Sequence, residues 1–212
     1  MSDVDALIEG FARYKAAYQN NPERHQRLIS QQRQPPRVMM VACCDSRVDP
    51  AIITDSRAGD IFVLRNIANL VPPMSEQHRY AETSAAIEFG VCYLEVETLI
   101  VMGHSRCGGI GTLVNRLIDE SLPSHPLEEW TAIAEPVATE VLRDHPQMPL
   151  DQKICACSRA ALSVSLTNLL TYPWVAEREA RGSLSLRGWY FNLATAELEE
   201  LDPATGEFSL LC

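Results

Sequence analysis

VMMVACCDSR, residues 38–47, passes from a wholly apolar run to a chemically dense one without a break. VMMVAC leaves no polar position for a solvated face, the mark of a strand buried on both sides. CCDSR then packs a thiol pair, a carboxylate, a hydroxyl and a guanidinium into five residues. The short apolar runs IFVLRN (61–66) and TLIVMG (98–103) repeat the pattern, and AETSAAIEFGVCYLE (81–95) between them has a helix-forming composition with apolar residues at Ala85, Ile87, Val91 and Leu94. Strand, helix, strand in this rhythm predicts an α/β fold, a mainly parallel sheet flanked by helices.

Working outward, residues 3–19 place Val4, Leu7, Ile8, Phe11, Tyr14 and Tyr18 at helical spacing. A polar segment ending in Pro35-Pro36 follows, so 1–34 reads as a helical arm, with a partner chain as the alternative surface for it to lie on, and 35–212 as one domain. Helices are predicted over 127–145, kinked at Pro136, and over 151–173. The tail from Ser183 reads as short antiparallel strands, with Pro203 and Gly206 marking the last turn.

Bulk composition narrows the function. The 212 residues are 46% hydrophobic and carry a formal net charge of -10, which disfavours a nucleic-acid partner. No apolar run reaches the ~18–20 residues of a membrane span, and the first residues lack a basic-then-apolar leader, so a cytoplasmic location is expected. The seven cysteines are odd in number, which points to thiols, ligands or catalytic groups rather than to a disulfide framework.

Two segments follow buried strands directly: Cys43-Cys44-Asp45-Ser46-Arg47 and His104-Ser105-Arg106-Cys107-Gly108-Gly109. In open α/β sheets, ligands bind beyond the carboxyl ends of the strands. Zinc takes thiolate and imidazole ligands tetrahedrally, and a catalytic site keeps one position open. His104 and Cys107 are three apart and can converge, with Gly108 and Gly109 letting the backbone turn closely around the metal. Strand alternation puts Cys43 on the side of Asp45, and Asp45 with Arg47, while Cys44 points away into packing. Cys43, His104 and Cys107 are therefore the expected ligands, the fourth position falling to water or hydroxide, or transiently to Asp45. Cys92, Cys155, Cys157 and Cys212 read as ordinary small apolar residues, and His25, His78, His125 and His145 as surface histidines.

The motifs C-x-D-S-R, R-N-x-A-N (Arg65-Asn66-Ile67-Ala68-Asn69) and G-H-x-x-C-G-G (Gly103 to Gly109), with TSAAIEFGV and SLRGWYFNLATAEL beyond them, resemble those of the β-class carbonic anhydrases. The resemblance covers nearly the whole chain. It implies one zinc ion per subunit on Cys43, His104 and Cys107, and hydration of CO2 to bicarbonate and a proton by zinc-bound hydroxide. It also implies an Asp45–Arg47 dyad, a substrate pocket of Gln34, Phe62, Ile67, Phe89 and Gly108, and a homodimer or dimer of dimers with the active site near the interface. Some bacterial relatives bind an inhibitory bicarbonate through Trp, Arg and Tyr. Met40 and Phe191 stand at the Trp and Tyr positions here, so that site is expected to be absent. The alternatives are a COS or CS2 hydrolase on the same scaffold and a non-catalytic zinc-stabilised binding protein.

Overall fold

The computed structural model describes residues 2–22, 26, 29, 35–119, 121–123 and 125–212. Contacts divide the chain into two units, Met1–Pro35 and Pro36–Cys212. The first carries helix α1 (Asp3–Gln19). Ser2 and Asp5 form a reciprocal capping box, and no residue of the helix is buried.

The second unit is built on a six-stranded sheet in the order β2-β1-β3-β4-β5-β6. Its strands are β1 (Val38–Cys43), β2 (Ile61–Asn66), β3 (Thr98–His104), β4 (Ser185–Phe191), β5 (Leu198–Leu201) and β6 (Phe208–Leu210). β1 pairs with β2 and β3 in parallel, and β3 with β4 likewise; β4–β5 and β5–β6 are antiparallel. The fold is the expected α/β class with a mainly parallel sheet and an antiparallel C-terminal edge.

The apolar run of β1 is explained by burial on both faces. Met39 and Val41 join Leu99 and Val101 in a core capped by Leu162, Leu166 and Leu169. Met40 and Ala42 join Ile100 and Met102 on the other face. Alternate residues thus serve opposite faces of one strand. Seven α-helices of this unit accompany the sheet among the described residues. After α1 come α2 (Pro50–Ile53), α3 (Ala81–Glu88), α4 (Gly108–Ile118), α5 (Leu127–Thr131), α6 (Glu135–Asp144), α7 (Leu150–Leu169) and α8 (Pro173–Ala180). No single helix among these residues is long and apolar enough to cross a membrane.

Several boundaries differ from the sequence reading. The helix predicted over 81–95 ends as α-helix at Glu88 and continues as a π-helical turn, Phe89–Tyr93, with Leu94 N–H donating to Phe89 O at 2.9 Å. The segment 127–145 breaks into α5, a 3-10 turn and α6, and Pro136 lies in the first turn of α6, where its missing N–H costs nothing. Pro173 opens α8 rather than closing α7. Helix α4 was not foreseen. Its glycine-rich start disfavours helix, and burial of Ile110, Leu113 and Val114 overrides that preference.

Candidate metal centre

β1 and β3 are neighbours and end side by side, Ala42 opposite Met102, so their exits deliver side chains to one place. Cys43 is the last residue of β1 and His104 the last of β3. The chain then turns through Arg106 in the left-handed region (φ 55°) and enters α4, whose N-cap is Cys107. The ligand atoms of Cys43, His104 and Cys107, all buried, lie within 4.8 Å of one another.

This donor set fits a zinc ion on three counts. The Cys43 and Cys107 sulfurs are 3.8 Å apart, the edge of a tetrahedron built on Zn–S bonds of about 2.3 Å. His104 Nδ1 lies 2.9 Å from the Ser105 carbonyl, which can only accept, so Nδ1 carries the proton and Nε2 keeps its lone pair. Nε2 is buried with no hydrogen-bond partner. The sulfurs themselves call for a cation. A hydrogen bond from Cys107, aided by His104 and by the Asp45 and Ala68 N–H groups, pulls Cys43 down to about 4. Cys107 is pushed well above the ordinary thiol range by that same sulfur and by burial, against the Gly109 and Ile110 N–H groups of α4. The first proton leaves easily, whereas a second would leave two buried thiolates in contact, which a divalent ion resolves.

Beside the donors, Asp45 and Arg47 form a bidentate pair. Arg47 Nε–H donates to Asp45 Oδ1 at 2.9 Å and Nη2–H to Oδ2 at 2.6 Å. The Arg47 main-chain N–H also donates to Oδ1 at 3.0 Å. These bonds, the Arg47 side chain's above all, hold the Asp45 carboxyl well below the usual carboxylate range. The pairing was foreseen, but its expected cause was not the real one. β1 ends at Cys43, and the chain turns back on the Asp45 carboxylate instead of continuing the alternation. Arg47 Nη2–H also reaches Arg106 O at 3.2 Å, tying the dyad to the second motif.

Cys44, expected to pack, is exposed, because it has left the strand. Ile67 and Gly108 stand near the donors. A Cβ on Gly109 would lie 2.5 Å from Ile67 Cγ2, and Ala68 N–H donates to Cys43 Sγ at 3.4 Å. A Cβ on Gly108 would meet nothing within 4 Å, so Gly109 alone makes the close approach.

Phe62 and Phe89 are not gathered to these donors within one chain. Phe62 pairs with Met39, four residues down β1 from Cys43, or about 13 Å at ~3.3 Å per residue. Phe89 packs on Phe62 (centroids 5.8 Å apart) and stacks on Tyr93 (5.7 Å), and both Phe89 and Tyr93 are exposed. Gln34 lies outside the described residues. The sequence reading gave no role to Arg65, which donates to Cys43 O at 2.9 Å and to Asp45 O at 2.7 Å. Its place in R-N-x-A-N, directly before residues that touch Cys43, was the available signal.

Comparisons with known proteins point to one family. The carbonic anhydrase family model matches residues 38–198. Beta carbonic anhydrase 3 of Arabidopsis thaliana is 35% identical over 204 residues, covering 94% of this chain and 78% of that protein. The solved structure of the beta-carbonic anhydrase CcaA is similar with a TM-score of 0.88 at 31% identity, covering 99% of this chain and 100% of that one. A tetrameric beta-carbonic anhydrase from the ascomycete Sordaria macrospora shares the fold at a TM-score of 0.72 and 24% identity, over 97% of this chain and 94% of its own. A family match over residues 38–198 and a β-class relative 35% identical over 94% of the chain show that this chain belongs to the β-class carbonic anhydrases.

Proposed function

We propose that the protein catalyses the reversible hydration of CO2 to bicarbonate and a proton, with zinc held by Cys43, His104 and Cys107. The observation that carries this reading is the three buried donors, an unpaired imidazole nitrogen among them, set beside an ionised Asp45. Zinc supplies Lewis acidity there, lowering the pKa of water from roughly 16 toward about 7. Three protein donors leave a tetrahedral ion one position for substrate chemistry.

The chain's own residues do the rest. Asp45 accepts a hydrogen bond from the water being activated and so orients it. Arg47 keeps the carboxylate aimed and away from the donors by occupying both of its oxygens. The Ala68 N–H steadies the Cys43 sulfur. Asp45 is tied to Arg47 and fixed in its charge state, so it serves as an acceptor and not as the group that carries the product proton away.

Phe62 and Phe89 belong to the pocket only if a second copy brings them to the donors. We accordingly propose a homodimer, or a dimer of such dimers, in which the Phe62–Phe89–Tyr93 patch of one subunit lines the CO2 site of the other. The segment 1–34 would pack on the partner, and Gln34 would hydrogen-bond substrate. Neither the COS/CS2 alternative nor the non-catalytic alternative draws support from the comparisons. Stopped-flow CO2 hydration by zinc-loaded and chelator-stripped protein tests the proposal. Catalysis that appears with one zinc per chain supports it, and zinc-loaded protein indistinguishable from buffer refutes it.

A further inference from the structure

Arg65 belongs neither to the donor set nor to the Asp45–Arg47 pair, yet it grips the segment that carries both. It stands on β2 opposite Ala42, and the β1–β2 ladder ends one pair later, at Cys43 and Asn66. One more main-chain bond follows, Cys44 N–H to Asn66 O at 2.8 Å, and the guanidinium holds the carbonyls around it. Nε–H donates to Cys43 O at 2.9 Å and Nη2–H to Asp45 O at 2.7 Å. Nη1–H donates to Asp49 Oδ2 at 2.9 Å, while Asp49 Oδ1 accepts from the Ala51 and Ile52 N–H groups that open α2. One planar, permanently charged fork thus brackets residues 43, 45 and 49, a geometry that a lysine ammonium does not reproduce.

We infer that Arg65 is a positioning residue that fixes the main chain from Cys43 to Asp45, holding the sulfur and the carboxylate at their separate places. Arg47 aims the Asp45 side chain and reaches Arg106 O; Arg65 controls where that side chain starts. Without Arg65 the dyad would still pair and keep the single Arg47–Arg106 O bond, but the main chain beneath it would shift relative to His104 and Cys107. The inference rests on the carbonic anhydrase reading for its catalytic consequence and on the hydrogen bonds alone for its structural one.

The test compares the parent with Arg65→Gln, Arg65→Lys and Asp49→Asn, reading kcat with zinc bound and amide hydrogen exchange residue by residue. Arg65→Gln is expected to lower kcat about 10- to 100-fold. It should also speed exchange at the Arg47 and Val48 amides, both of which donate to Asp45, by about tenfold or more, with the β1 and β3 amides unchanged. Arg65→Lys should recover part of the loss. Asp49→Asn, which keeps the helix-capping oxygen, should act in the same direction but less. A parent that neither binds zinc nor hydrates CO2 overturns the activity reading. An active parent matched in kcat and loop exchange by Arg65→Gln overturns the positioning role alone. Faster exchange throughout the sheet would make Arg65 a general stabiliser and also overturn it. Should Arg65→Gln fail to fold, unchanged loop exchange in Asp49→Asn overturns the inference.

Discussion

The two strand exits that build the metal centre do so by different means. The β3 exit is held locally, without an arginine. Ser105 N–H donates to Phe191 O at 3.0 Å, Leu193 N–H donates to Ser105 Oγ at 2.9 Å, and α4 begins directly after Cys107. The β1 exit keeps one main-chain bond, Cys44 N–H to Asn66 O at 2.8 Å, and is otherwise held by two arginine side chains, Arg47 on the Asp45 carboxylate and Arg65 on the Cys43 and Asp45 carbonyls. The more rigid β3 exit contributes two donors, whereas the more adjustable, arginine-held exit contributes one donor and the dyad.

Substitutions can break that contrast, beginning with the most severe. His104→Ala removes a donor from the rigid exit, and zinc content and CO2 hydration should both fall to the level of the metal-stripped protein, as read by metal analysis and stopped flow. Arg47→Ala acts on the adjustable exit. Zinc should remain near one per chain while kcat falls about 10- to 100-fold; retained kcat would leave the Asp45–Arg47 pair without a catalytic role. Gly109→Ala tests where the exits touch. The new Cβ would lie 2.5 Å from Ile67 Cγ2, and relieving that overlap should cost about 1–3 kcal/mol in chemical denaturation. Cys44→Ser, at an exposed position, should stay within about 0.5 kcal/mol of the parent and keep metal and activity. Metal loss in that variant would reverse the assignment of the two adjacent cysteines.

Acid should barely act on the dyad in the neutral range. The Asp45 carboxyl is held below its unfolded value of about 3.9, so its contribution to stability is present above that value and is lost only as pH falls through the lower folded one. The carbon chemical shift of the Asp45 carboxyl should therefore stay flat as pH falls through the ordinary aspartate midpoint of about 3.9. A midpoint at or above that value would show that the pair is not formed.

Much of this was legible in the sequence, and the failures have physical causes. The runs 38–43 and 98–104 announced themselves because strands buried on both faces need no polar positions, whereas 61–66 has the same apolar start but is a half-buried edge strand. Cys43, His104 and Cys107 were legible because thiols and an imidazole stood at two such strand ends. Alternation paired Asp45 with Arg47 but misplaced Cys44, since where a strand ends is set by its neighbours' ladders and not by its own residues. The same limit hid Arg65, whose work depends on its register opposite Ala42. It also hid the distance between Phe62 and the donors. Helix α4 was hidden by its glycines, which are tolerated because Gly109 must pass close to Ile67.

The central claim is that both exits place their donors on one zinc ion with a position left open. X-ray absorption at the zinc edge of the loaded protein tests it most directly. The structure predicts two sulfur scatterers at about 2.3 Å and two nitrogen or oxygen scatterers at about 2.0–2.1 Å, with imidazole outer-shell features from a single histidine. A shell of four sulfurs, or one with no sulfur, would contradict it.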